Sequence, residues 1–269
     1  MLRTIEVSGV RYRVADEGTG LTILFVHGFP LDHTMWSAQI GEFSKMYRVI
    51  APDLRGFGGT DGTLYAVSME QFADDLAELL EALHVDRPVT FCGLSMGGYI
   101  GWQFALRHPE WLGRLILCDT RAAADSPDAA ANRLKMADIV IKEGPEPVAW
   151  AMLPKLFASI TTERQPALTE RVRRMVLGTA PTAIAAAHRG MAVRPDVTSL
   201  LPSLRMPTLV VVGEHDAISP PAEMKEIAEA LPNSRFAVIP NAGHMAPMEN
   251  PTAVNTAIHE FLRTDTYDL

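Results

Sequence analysis

The 269-residue sequence holds two cysteines, so no disulfide framework braces it, and no Cys/His cluster has the spacing of a structural zinc site. Cys92 and Cys118 each close an apolar run, the place of a small buried hydrophobe rather than of a bridge. Basic residues are also in deficit, 24 Lys and Arg against 32 Asp and Glu, for a net charge of −8. That balance argues against nucleic acid as a partner, because a phosphate-binding face needs an excess of clustered Lys and Arg. No apolar run approaches the roughly 18 residues of a membrane helix. The first residues, Met1-Leu-Arg-Thr-Ile-Glu-Val7, place charges where a secretory segment must be apolar. A soluble, cytoplasmic protein without a membrane partner is expected. What is present is globular: 48% hydrophobic and 21% charged residues exclude disorder, and the length suits one large α/β domain with room for an insertion.

Weak alternation through Ile5, Val7, Val10, Tyr12 and Val14, with Gly9 between, predicts a hairpin over residues 4–15. From residue 21 the pattern becomes one of short unbroken apolar runs, at 21–26, 47–51, 89–92, 115–118, 208–212 and 236–239. Such runs belong to strands covered on both faces. Helical periods separate them. Met69, Phe72, Leu76, Leu79, Leu80 and Leu83 share one stripe behind the capping-box pair Ser68 and Gln71. Ser219-Pro220 opens a helix with Met224, Ile227 and Leu231 inward, and Asn250-Pro251 opens a last one with Val254, Ile258, Phe261 and Leu262 inward. The alternation demands a mostly parallel sheet with helices on both faces. Residues 121–200 break the rhythm: they offer no convincing strand but helical candidates at 128–142, 146–158, 164–177 and 182–192, separated by Pro145, Pro166 and Pro181. An all-helical insertion between two strands is most simply a cap over the edge where strands end.

The sharpest local signal is Gly93-Leu94-Ser95-Met96-Gly97-Gly98, between the run at 89–92 and a helical segment. A serine between glycines at this junction sits on a sharp strand-to-helix turn that lifts its hydroxyl clear of the sheet, at a helix N-terminus that favours negative charge. Such a hydroxyl needs a base to take its proton, and the base needs a third group to orient it. Asp216 ends Gly213-Glu214-His215-Asp216 after the run at 208–212, and His244 ends Asn241-Ala242-Gly243-His244 after the run at 236–239. In a parallel sheet these loops emerge on one edge, so Ser95, Asp216 and His244 converge. His27-Gly28-Phe29-Pro30 closes the run at 21–26, which makes the backbone N–H groups of Phe29 and Met96 the candidate oxyanion donors.

Strand–His-Gly, strand–Gly-x-Ser-x-Gly, strand–Gly-Glu-x-Asp and strand–Gly-His together resemble the α/β-hydrolase fold over essentially the whole chain. Residues 93–98, the loop Asp53-Leu-Arg-Gly-Phe-Gly58 and the stretch Gly243-His-Met-Ala-Pro-Met-Glu-Asn-Pro251 resemble the branch of 3-oxoadipate enol-lactonases, small-ester hydrolases and cofactor-free haloperoxidases or perhydrolases. The resemblance implies an eight-stranded, mostly parallel sheet, with a core domain of residues 1–120 and 201–269 and an all-helical cap, 121–200, inserted after the sixth strand. It makes Ser95 the nucleophile, Asp216 the acid, His244 the base, and Phe29 and Met96 the oxyanion donors, with no metal or organic cofactor. Asp119 follows the run at 115–118, where some members of this fold carry their acid, and stands as the alternative to Asp216. Epoxide hydrolases and haloalkane dehalogenases of the fold use an aspartate nucleophile, and Ser95 argues against both.

The implied activity is that of a serine hydrolase that cleaves a small carboxylic ester or lactone, enol-lactones included, through an acyl-enzyme. Two alternatives remain open: the same triad passing the acyl group to peroxide or an alcohol, as in a perhydrolase, haloperoxidase or acyltransferase, and a ligand receptor on the hydrolase fold with little turnover. Trp150, Met152, Leu156 and Phe157 form an apolar patch in the cap, and Trp150, Phe157 and His188 are candidates for the substrate pocket. Arg164, Arg171, Arg173, Arg174, Arg189 and Arg194 give the cap a basic tendency, and a dicarboxylate lactone would need one or two of them turned inward. His27 is expected to shape the oxyanion loop.

Overall fold

Ser8 and Gly9 both take positive φ, 48° and 76°, the two-residue turn whose twist matches that of the flanking strands, and they join β1 (Leu2–Val7) to β2 (Val10–Glu17). The computed structural model describes residues 1–62 and 64–263; the last six residues of the expected core domain, 264–269, lie outside the described residues. The six apolar runs become β3 (Thr22–Val26), β4 (Arg48–Pro52), β5 (Val89–Leu94), β6 (Leu112–Cys118), β7 (Thr208–Gly213) and β8 (Ser234–Ile239). Every residue of β3, β5 and β7 is buried, the condition under which a strand needs no polar face.

The sheet has eight strands in the order β1-β2-β4-β3-β5-β6-β7-β8. The β1/β2 and β2/β4 pairs are antiparallel, and every pair from β4 to β8 is parallel. The winding reverses at β3, which lies between β4 and β5, and a crevice opens at the carboxyl ends of the strands around such a reversal. The helices α1 (Ser37–Phe43), α2 (Met69–Ala82) and α3 (Met96–Arg107) lie among the first six strands in sequence. Ser68 Oγ accepts from the Gln71 N–H at 3.2 Å at the start of α2, whose buried stripe includes Met69, Phe72, Leu76, Leu79 and Leu80.

Between β6 and β7 the described chain is helical: α4 (Pro127–Glu143), α5 (Glu146–Leu156), α6 (Ser159–Arg164), α7 (Pro166–Gly178) and α8 (Pro181–Ala192). One expectation is corrected. The helix expected at 164–177 begins at Pro166, as α7, because Gln165 leaves helical geometry (φ −129°, ψ 53°) ahead of Pro166, which has no N–H to continue the ladder, and α6 is a further helix before it. α6 escaped notice since Ser-Ile-Thr-Thr-Glu-Arg carries no apolar stripe, and the residue it buries is Thr161. The insertion is bonded to the rest of the chain at several points: Thr179 Oγ1 donates to Pro30 O (2.9 Å) and Val67 N–H to Ala186 O (3.2 Å). After β7 come α9 (Pro221–Ala230), then β8, α10 (Ala246–Glu249) and α11 (Pro251–Arg263), the last burying Val254, Ile258, Phe261 and Leu262. Cys92 and Cys118 are buried and free. No described helix is long and apolar enough to cross a membrane.

Candidate active site

Ser95 sits between the end of β5 and the first turn of α3 at φ 52°, ψ −111°, a conformation that a residue with a Cβ adopts only when its surroundings impose it. They do so through the backbone. The Ser95 N–H donates to Cys118 O at 2.9 Å, and Thr120 Oγ1 donates to Ser95 O at 2.7 Å. A Cβ on Gly97 would stand 2.3 Å from Val26 O, so only glycine lets the turn press against the end of β3.

The three polar side chains expected to converge do so. His244 Nε2 lies 2.9 Å from Ser95 Oγ, and His244 Nδ1 lies 2.9 Å from Asp216 Oδ2. Asp216 accepts at Oδ1 from the N–H groups of Ile218 (2.8 Å) and Ser219 (3.0 Å). An ionised Asp216 can only accept, so the His244 proton is held on Nδ1 and Nε2 faces the serine hydroxyl with a lone pair. His244 and Asp216 are 3% and 4% exposed, which keeps this chain of bonds out of water. The loops after β7 and β8 are joined backbone to backbone: the His215 N–H donates to Ala242 O (2.8 Å), and a Cβ on Gly213 would meet Gly243 O at 2.0 Å. Asp119 is buried at the end of β6, and the imidazole bonds to Asp216 instead.

The loop after β3 lies against the serine turn, since a Cβ on Gly28 would meet Leu94 O at 3.3 Å. Among the described residues the peptide N–H groups of Phe29 and Met96 have no acceptor. His27 holds the loop in shape as expected: its ring Nδ1 donates to Gly28 O (2.9 Å), and Nε2 accepts from the Leu54 N–H (2.9 Å). Complete burial pushes its pKa down, so the ring is the neutral tautomer that these two bonds need.

Of the three pocket candidates, His188 lines a cavity. It is 7% exposed, packs edge-on to Phe29 with ring centroids 4.6 Å apart, and lines a cavity of about 300 Å³ with Asn132, Arg133, Met136, Val148 and Met152. Phe157 abuts the His244 loop through its backbone, 2.7 Å from where a Gly243 Cβ would stand. Trp150 is corrected: it is 73% exposed, on the face of α5 away from the cavity that Ala151 and Met152 line. Among the arginines of the insertion, Arg173 and Arg174 pair with Glu170, Arg171 bonds to the Thr34 carbonyl, and Arg194 turns inward to Asp125 (2.7 Å). Arg133, which the sequence reading passed over, shares Asp125 with it.

Among the described residues neither ring nitrogen of His188 has a hydrogen-bond partner. Burial, and then the Arg133 charge, push its pKa down to about 3. Below the ordinary imidazole value of about 6.5 the unfolded chain takes a proton that the folded chain refuses, so stability is lost as pH falls from about 6.5 toward 3. The expected result is that His188→Phe loses less Tm than the wild type between pH 7 and pH 4. Parallel melts decide it, and equal losses would rule out this account of His188.

Glu249 also went unread, although it lies in the quoted stretch 243–251. Its Oε1 accepts from the N–H groups of Gly243 (2.8 Å) and Met245 (3.1 Å), on either side of His244. Its Oε2 accepts from the Ala158 N–H (2.9 Å) and Thr161 Oγ1 (2.6 Å) at the start of α6. One buried carboxylate thus ties the His244 loop to the insertion. Glu249→Gln turns one of these acceptor oxygens into a donor facing two donors, and a stability loss of about 1–3 kcal/mol is expected. Urea midpoints of the two proteins measure it, and unchanged midpoints would refute the tie.

Among the described residues, the closest approach to a metal-ligand spacing is Asp32, His33 and Asp53, whose ligand atoms lie within 4.8 Å of one another. These groups already serve their loop. Asp53 accepts from His33 N–H (2.8 Å), His33 Nδ1 (2.6 Å) and Gly59 N–H (2.8 Å), and Asp32 accepts from Thr34 N–H (2.8 Å).

A doubly wound sheet that presents a serine on a strained strand-to-helix turn at its carboxyl edge, with a helical insertion after the sixth strand, falls within the α/β hydrolase class of folds. Sequence agrees with architecture. The chain belongs to the family of the alpha/beta hydrolase fold, whose model matches residues 22–251. It is similar to an esterase from Thermogutta terrifontis, solved with malate bound, at 48% identity and a TM-score of 0.95 over 98% of each chain. It is also similar to the enol-lactonase from Burkholderia xenovorans LB400, at 28% identity and a TM-score of 0.89 over 97% of this chain and 99% of that one. The 3-oxoadipate enol-lactonase 2 of Acinetobacter baylyi is 26% identical over 260 residues, 97% of this chain and 95% of that protein.

Proposed function

We propose that the protein is a serine hydrolase that cleaves a small carboxylic ester or lactone through an acyl-enzyme. The observation that carries the reading is the unbroken relay of two 2.9 Å bonds from Ser95 Oγ through His244 to Asp216. His244 Nε2 takes the hydroxyl proton as Ser95 attacks the carbonyl carbon, and the imidazolium that forms is stabilised by Asp216. The carbonyl oxygen, now an alkoxide, accepts from the Phe29 and Met96 N–H groups, each worth roughly 3–4 kcal/mol in comparable sites. Collapse expels the alcohol, which takes the proton from Nε2. Water then enters, loses its proton to Nε2 and releases the acid.

The same reading treats residues 1–120 and 201–269 as the core domain and 121–200 as a cap that carries the wall of the substrate pocket. The wall bears on substrate choice. Asp125 faces two guanidiniums, Arg133 and Arg194, and Arg133 lines the cavity of about 300 Å³. Among small esters and lactones this favours those that bear a carboxylate. Names of similar proteins, an esterase and enol-lactonases, support the class. The test is a panel of p-nitrophenyl acetate, neutral small lactones and carboxylate-bearing lactones with purified protein. Turnover is expected on the panel, with the highest kcat/KM for the carboxylate-bearing members. No turnover on any of them would reject the reading.

A further inference from the structure

The corner formed by Cys118, Asp119 and Thr120 at the end of β6 joins the two halves of the site. Towards the serine, Cys118 O accepts from the Ser95 N–H and Thr120 Oγ1 donates to Ser95 O. Towards the acid loop, the Asp119 N–H donates to Val211 O (2.9 Å), and Asp119 Oδ1 accepts from the N–H of Gly213 (2.7 Å), three residues before Asp216. Asp119 is held at φ 48°, in the left-handed region.

Its carboxyl group is sealed from water. Asp119 is 0% exposed, Oδ2 is sealed without any N–H or O–H partner among the described residues, and the Asp216 carboxyl lies within hydrogen-bonding reach. The titratable groups that act on it are Asp216 and the Cys118 thiol, with His244 beyond Asp216. Burial, and then the Asp216 charge, hold the Asp119 acid well above the usual carboxylate range. Two carboxyl groups this close and out of water do not both ionise. Asp216 accepts from two peptide N–H groups and faces the imidazole, whereas Asp119 has one peptide N–H, so the shared proton belongs on Asp119.

We infer that Asp119 is a positioning residue, a carboxylic acid whose sealed Oδ2 bears a proton and donates it to Asp216, fixing the Asp216 carboxylate in line with His244. The inference rests on the proposed pairing of Asp216 with His244 as acid and base. Asp119 touches neither substrate nor serine hydroxyl; it acts through Asp216.

The experiment combines infrared spectroscopy with kinetics on the full chain. At neutral pH the wild type is expected to show the C=O stretch of a protonated carboxyl that is absent from Asp119→Asn. That variant keeps an oxygen for the Gly213 N–H and offers an amide N–H in place of the proton, so kcat on a small ester stays within about threefold of wild type. Asp119→Ala removes the donor: kcat per folded site falls about tenfold to a hundredfold at unchanged KM, and the Asn variant rescues it, which a merely structural role would not produce. Two results overturn the inference: a wild type without the protonated band, or an Asn variant that loses as much kcat as Asp216→Asn. Should the Asn variant not fold, wild type labelled with ¹³C in the aspartate side-chain carboxyl gives the answer, since the band must shift on labelling and its absence is fatal. The band needs no turnover, so a protein that hydrolyses nothing sinks the proposed function and leaves the proton on Asp119 still measurable.

Discussion

Ser95→Ala is expected to lower kcat for a small ester by about a million-fold while Tm stays within a few degrees of wild type. The two halves of this expectation have separate causes. Among the described residues the side chain's one hydrogen bond is to His244 Nε2, so removing the hydroxyl removes the attacking atom and leaves the base with nothing to deprotonate but water. The turn survives, because it is held by bonds of the backbone: Ser95 N–H to Cys118 O, Ser95 O from Thr120 Oγ1, and the close approach of Gly97 to Val26 O. Alanine at φ 52° bears a strain comparable to that of serine, since both carry a Cβ. Initial rates with p-nitrophenyl acetate, and thermal melts of both proteins, measure the two quantities. A variant that turns over like the wild type removes Ser95 as nucleophile, and one that fails to fold shows that the hydroxyl holds the turn.

The elements that position the site were legible because each leaves a one-dimensional trace. A strand covered on both faces must be apolar throughout, and six unbroken runs marked β3 to β8 within a few residues of their bounds. The convergence of Ser95, Asp216 and His244 was legible by place: each follows such a run, and parallel strands bring their carboxyl ends to one edge. What escaped depends on contacts between distant segments. Glu249 looked like one acid in a polar stretch, and only the folded chain brings the Gly243 and Met245 amides and the start of α6 to its two oxygens. Arg133 and Trp150 failed for a related reason. On α4 and α5 the apolar pattern is weak, so the sequence does not say which face meets the core, and the indole turned to solvent while the guanidinium turned toward the cavity. His188 was visible as a residue but not as an orphan, since its lack of partners is a property of the whole neighbourhood.

Asp216→Asn is expected to lower kcat by about ten-thousand-fold with little change in KM or stability, and the reason lies in how an amide fits the space of this carboxylate. Asp216 Oδ1 already serves two donors, the N–H groups of Ile218 and Ser219, and Oδ2 serves His244 Nδ1. An asparagine must place its oxygen at one of these positions and its NH2 at the other. With the NH2 against Ile218 and Ser219, two buried peptide donors lose their acceptor at a cost of about 1–3 kcal/mol each, so the amide turns the other way. The NH2 then faces His244 Nδ1 as a donor. The imidazole must present a bare Nδ1 and carry its proton on Nε2, where it donates to Ser95 Oγ instead of accepting from it. The serine keeps its proton, and the base is absent although every atom is near its former place. Raising the pH does not restore activity, since the fault is in the tautomer and not in the charge, so the deficit in kcat should be nearly constant from pH 7 to pH 9. Rates across that range, beside a melting curve that certifies the fold, test the argument. A variant within about tenfold of wild type at pH 7 would move the acid role elsewhere in the site and would leave the Asp119 carboxyl, now without a charged neighbour, as the group to examine next.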